Sequence, residues 1–142
     1  MIIQDKAFQQ LKAAEHLLQV TFPLVKDPKL LIGILYNLSA ALDYAMQAIL
    51  QQEPAVPQSL NGKLHFLQTK YGIGKNSIEL IRRVNEISSA HKDSSVVFTR
   101  GSKQVICTDE YAMEVLSAQE LASFIEQARD FLKSMEPANR KQ

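Results

Sequence analysis

Arg82 and Arg83, followed by His91 and Lys92, are the residues whose types and spacing come nearest to catalytic chemistry in this chain. On a helix each residue turns ~100° and rises ~1.5 Å, so Arg83 and His91 stand about 80° apart and roughly 12 Å along the axis. Two long side chains at that offset can look into one groove. Arginine there would hold a phosphodiester and histidine would move a proton near neutral pH, which suits RNA cleavage without a metal. A plainer reading is also open: two solvated arginines, and a lysine that complements the negative end of a helix dipole. Arg100 and Lys103 extend the candidate binding set beyond this helix.

Other chemistries lack their residues. The histidines, His16, His65 and His91, fall on three different predicted helices, and no Glu-x-x-His pair is present, so no metal site is expected. Cys107 sits between Ile106 and Thr108 in a β-favouring run, the setting of an inert thiol rather than a nucleophile. No Gly-x-Ser-x-Gly elbow occurs, and Gly72-Ile73-Gly74-Lys75-Asn76-Ser77 lacks phosphate-loop spacing, although it places Lys75 at a helix start, a generic weak anion site. No cofactor is expected. Asp43, Tyr36 and Tyr44 form a polar stripe that could line a small-ligand pocket or simply meet solvent or another subunit.

These residues must be positioned by a single domain. The chain has 142 residues, 46% hydrophobic and 22% charged, which suits a globular core and argues against disorder. A lone cysteine excludes a disulfide scaffold. The N-terminus carries no basic segment followed by an apolar one, and Leu30 to Leu50 is interrupted by Asn37, Asp43 and Gln47, so neither signal peptide nor membrane span is expected. The expected setting is cytoplasmic. The net charge of +1 conceals an asymmetry: residues 1–58 carry −1, residues 59–103 carry +5 and residues 104–142 carry −3. A basic middle beside an acidic end marks either a phosphate-binding face or two complementary surfaces.

Helical periodicity dominates both ends of the chain. The first helix is expected from Asp5 to Val20, with Phe8, Leu11, Leu18, Ala7, Ala14 and Ala13 apolar and Pro23 ending it. Asp27-Pro28 is the clearest helix start, an N-cap followed by proline at the first helical position. The helix that follows carries Leu31, Ile34, Leu35, Leu38, Leu42, Ala45, Met46 and Ile49 on a wide apolar face and should be the central rod. After a connection through Pro54 and Pro57, a third helix is expected over Ser59 to Tyr71, closed by Gly72. Asn76-Ser77-Ile78-Glu79 reads as a capping box opening a fourth helix to about His91. Ser117-Ala118-Gln119-Glu120 reads as another, opening a last helix to about Met135 with Pro137 as its stop.

Between these helices the period falls to two. Val96 to Arg100 and Gln104 to Thr108 are strands around a Gly101-Ser102-Lys103 loop, and Tyr111 to Leu116 is a third strand. Fold class is therefore mainly α: an antiparallel bundle of four to five helices over residues 1–137, a small β-meander inserted at about 95–116, and a frayed tail at 138–142. Val96, Val97, Phe98, Val105 and Ile106 place apolar residues on both strand faces, more than one packed face needs. Such a surface invites a partner, often an identical subunit.

The order of elements resembles the HEPN superfamily of small helical bundles. The resemblance is carried by Leu11-Lys12-Ala13-Ala14-Glu15-His16-Leu17-Leu18, by Ala40-Ala41-Leu42-Asp43-Tyr44-Ala45, and by a late helix with arginine and histidine. The tract from His91 to Leu116 also resembles archaeal proteins of this size. The resemblance implies either a metal-independent ribonuclease using Arg83 and His91 or a partner of a nucleotidyltransferase-type protein. Active members carry Arg-x₄₋₆-His with a polar residue after the arginine; here Val84 follows Arg83 and seven residues separate it from His91. The expected function is thus a non-catalytic binding or adaptor module, dimeric, contacting RNA or a partner protein through Arg82, Arg83, His91, Lys92, Arg100 and Lys103, with ribonuclease activity as the alternative.

Overall fold

In the computed structural model, which describes residues 3–110 and 112–135, the chain is mainly helical with a small three-stranded antiparallel sheet. The expectations at Tyr111, at Pro137 and for the tail 138–142 lie outside the described residues. Helix α1 (Ile3–His16) runs into a π-helical turn (Leu17–Thr21) and then α2 (Phe22–Val25) as one rod. Helix α3 (Leu30–Leu50), α4 (Leu60–Tyr71), α5 (Lys75–Lys92) and α6 (Ala118–Ser134) complete five rods. Strands β1 (Ser94–Arg100), β2 (Lys103–Thr108) and β3 (Met113–Leu116) lie between α5 and α6 in the order β1-β2-β3.

The first rod outlasts its sequence prediction. Pro23 lacks an N–H and its ring would strike the carbonyl four residues back in an α-helix. The chain instead widens by one residue: the Phe22 N–H donates to the Leu17 carbonyl, and Pro23 falls in the first turn of α2, where no donor is needed. The rod stops at Lys26, whose φ of 59° is left-handed. Ala13, expected on the apolar side, faces solvent, while Ala7, Leu11 and Ala14 are buried.

Asp27 opens a turn that leads into the central helix, but the N-cap position falls at Lys29 and not at Asp27. Asp27 Oδ1 accepts from the Lys29 N–H at 3.0 Å, and the Leu30 and Leu31 N–H groups bond three residues back before the α ladder begins. Helix α3 then spans about 32 Å. It buries every residue of the predicted face, with Leu31, Ile34, Leu35 and Leu38 fully enclosed. Helices α1, α5 and α6 all pack on it and share one apolar core with it.

Helix starts obey local chemistry unevenly. Ser59 Oγ accepts from Gly62 N–H at 3.0 Å and Ser117 Oγ accepts from Glu120 N–H at 3.1 Å, both ordinary N-caps. The predicted Asn76 box does not form. Helix α5 begins two residues earlier, at Lys75, with Gly74 rather than Asn76 at the N-cap, and Glu79 pairs with Arg82 instead of reaching back. Gly72, at φ 67°, closes α4 as expected. The two-proline connection is tied down by Glu53, which accepts from Lys70 Nζ at 2.8 Å and from the Tyr71 hydroxyl. Those bonds hold the Glu53 carboxyl below its ordinary pKa, Lys70 contributing most.

The strands pair Phe98 with Val105 and Val105 with Val115; one row along, Val96 meets Cys107 and Cys107 meets Met113. The hairpin loop has two residues rather than three, because Arg100 pairs with Lys103. Gly101 takes φ 62° at its first position, a left-handed value that matches the twist of the flanking strands. Alternation sends Ile106, Leu116 and Val97 inward onto the helices, where the first two are fully buried. No helix among the described residues is long and apolar enough to cross a membrane.

Candidate functional site

The helix carrying the candidate catalytic pair turns its two members toward different neighbours. Arg83 donates from Nη1 and Nη2 to the two carboxylate oxygens of Glu114 on β3, each at 2.9 Å, and its Nη2 lies 3.8 Å from Glu120 on α6. The fork is bidentate, the strongest geometry available to an arginine and carboxylate. Glu114 above all, then Glu120 and Glu86, keep the guanidinium firmly protonated against the cost of burial. Arg82 donates to Glu79 at 2.7 Å on its own helix.

His91 is held by a different element, α3. Its Nδ1 lies 2.8 Å from the Tyr36 hydroxyl on α3, the rings meet edge to face at 5.4 Å, and its carbonyl accepts from Ser94 Oγ. Burial raises the Tyr36 pKa. Lys92 acts on Asp43 of α3 together with Lys63 of α4. Asp43 keeps access to solvent, yet crowding by its neighbours raises its pKa and the two lysines only partly offset that rise. Asp43 also lines a cleft of about 530 Å³ along α3, bordered by Ile3 of α1, Val56 of the connection after α3 and Lys63 of α4. Tyr44 stands apart from that cleft, with Lys6 Nζ 5.8 Å from its ring centre.

Sequence reasoning missed Glu114, read Glu120 only as part of a capping box, and placed Tyr36 in a polar stripe with Asp43 and Tyr44 rather than against His91. One signal was available. Glu114 shares its side of β3 with Leu116, and a carboxylate on the inward face of a half-buried strand demands a partner. Gln104, also inward and almost fully buried, satisfies the same demand by donating from Nε2 to Thr99 Oγ1 at 2.7 Å. Among the described residues no group of three His, Cys, Asp or Glu side chains could hold a metal ion.

The outer face of the sheet is the other feature that calls for a function. Val96, Phe98, Met113 and Val115 stand 52, 42, 58 and 41% exposed around Val105 and Cys107, which fill the centre of the same face. Arg100 and Lys103 project at its hairpin end and line a hollow of about 430 Å³ with Val105, Met113 and Val115. The opposite end of the strands is acidic: Asp93, Asp109 and Glu110 stand there and line a cleft with Glu86 of α5, on the helix side of the sheet. The six candidate binding residues therefore separate: Arg82 and Arg83 are engaged by carboxylates, His91 and Lys92 border α3, and Arg100 and Lys103 rim the apolar face. No family model, curated protein or solved structure matches this chain.

Proposed function

We propose that the protein is a non-catalytic binding module, an antiparallel helical bundle of HEPN-like order whose working surface is the outer face of its sheet. One observation carries this reading: an apolar sheet face, rimmed by Arg100 and Lys103, points away from the core that its other face completes. Single exposed apolar residues are commonplace, but a contiguous set on one sheet is a contact surface. The ribonuclease alternative requires a guanidinium free to hold phosphate, and Glu114 occupies both arms of Arg83.

A labelled single-stranded RNA incubated with the protein and a metal chelator tests the choice. The expected result is intact RNA with wild type and with His91→Ala alike. Any binding should fall steeply as salt rises and should depend on Arg100 and Lys103 more than on Arg82 and Arg83. Metal-independent cleavage abolished by His91→Ala would overturn the reading.

A further inference from the structure

We infer that the occupant of the outer sheet face is a second copy of this chain, stacked so that the strands of the two sheets run in opposite directions. This choice of occupant rests on reading that face as a binding surface. Its support is the distribution of charge around the apolar rows. Arg100 and Lys103 mark one end of the strands, while Asp93, Asp109 and Glu110 mark the other.

Two sheets that meet face to face are related by a two-fold axis lying between them. An axis parallel to the strands sets the basic end over the partner's basic end and is repelled. An axis across the strands sets each basic end over the partner's acidic end, twice in one dimer. Charge therefore selects the second arrangement. With the axis between the Val105 and Cys107 rows, Lys103 comes over Asp109 of the other copy. The hollow beside Arg100 and Lys103 then receives the acidic turn at Asp109 and Glu110.

Edge pairing through β1 reverses the strands as well, but β1 is irregular between Ser94 and Val96, a device that discourages edge extension. Pairing through the β1 edge would also leave Met113 and Val115, on β3 at the far edge, uncovered, whereas face stacking covers them. The face is small. Three strands ~4.8 Å apart and about five residues long give roughly 250 Å² of footprint, against ~800 Å² per partner in a standard interface. The dimer should accordingly be weak and reversible.

Sedimentation of the full chain over a concentration series tests this. Wild type is expected to pass from monomer to dimer, and Val115→Glu to weaken association at least tenfold with an unchanged circular dichroism spectrum. Arg100→Glu with Lys103→Glu in one chain, and Asp109→Lys with Glu110→Lys in another, should each weaken self-association at least tenfold. Mixed together, the two reversed chains should form a heterodimer within about threefold of wild-type affinity, because both contacts are then restored. Wild type that stays monomeric to millimolar concentration overturns the inference. So does association insensitive to Val115→Glu, or a mixture no tighter than its components. None of these results bears on RNA cleavage, so the binding-module reading stands or falls separately on the chelator experiment.

Discussion

The helical core and the sheet both carry apolar residues on the surfaces they must cover, yet only the core is closed. Leu31, Leu35 and Leu38 on α3 meet α1, α5 and α6 from several sides and lose all contact with water. The sheet offers two apolar faces to one layer of helices. Ile106 and Leu116 are buried on its inner face, and Phe98 and Val115 remain exposed on the outer one. A wide helical stripe can be covered from several directions, whereas a sheet needs a separate layer on each side. Hydrophobicity in one region is thus enclosed by the fold and in the other left partly exposed.

The sharpest way to break this comparison is to cut both regions. Leu38→Ala should cost about 2–5 kcal/mol of stability, since a fully enclosed leucine leaves a cavity its neighbours cannot close; denaturant unfolding measures it. Ser117→Ala, at the junction of sheet and α6, should cost about 1 kcal/mol through loss of its N-cap bond, read in the same way.

Glu114→Gln leaves the shape of the Arg83 contact and removes its charge. Because the pair keeps partial solvent access, the loss should be about 0.5–1 kcal/mol, and it should shrink as salt is added. Phe98→Ser, by contrast, should change the stability of the dilute monomer by less than about 0.5 kcal/mol. A cost that grows with protein concentration would locate the role of Phe98 in association rather than in folding.

The smallest effect concerns pH. Asp43 has a folded-state pKa above its ordinary 3.8, so the folded state holds that proton more tightly than the unfolded chain. Its favourable contribution is complete below the unfolded value and is lost as pH rises through the folded one. Asp43→Asn should therefore raise the melting temperature slightly at neutral pH, with no gain at acidic pH. Glu53, held down chiefly by Lys70, has the opposite sign: its contribution is present above its ordinary 4.5 and is lost as pH falls.

Much of this architecture was legible because its determinants are local. Asp27-Pro28, Ser59, Ser117 and Gly72 act on the backbone within a few residues, and the three- and four-residue spacing on α3 names its own buried face. Pro23 shows where local reading stops: a one-residue π widening let the rod continue past a proline that normally ends one. The Asn76 box failed for a related reason. Its glutamate had a competing partner, Arg82, and the helix could start without it.

The candidate pair shows the same division. Spacing alone places Arg83 and His91 within reach of one groove, but reach is not possession. Glu114 lies 31 residues from Arg83 and Tyr36 lies 55 residues from His91. Which element comes to lie against which side of α5 is settled by packing.

From the order of its amino acids alone, this protein acquires its helices, its strands, the caps at Ser59 and Ser117 and the apolar faces they must cover, since each depends on neighbours along the chain. Only the assembled fold decides that Arg83 is spent on a carboxylate, that His91 leans on a tyrosine, and that one face of the sheet is left over. Those outcomes depend on which surfaces meet, and apolar burial, which drives that meeting, is too non-directional to be read from spacing.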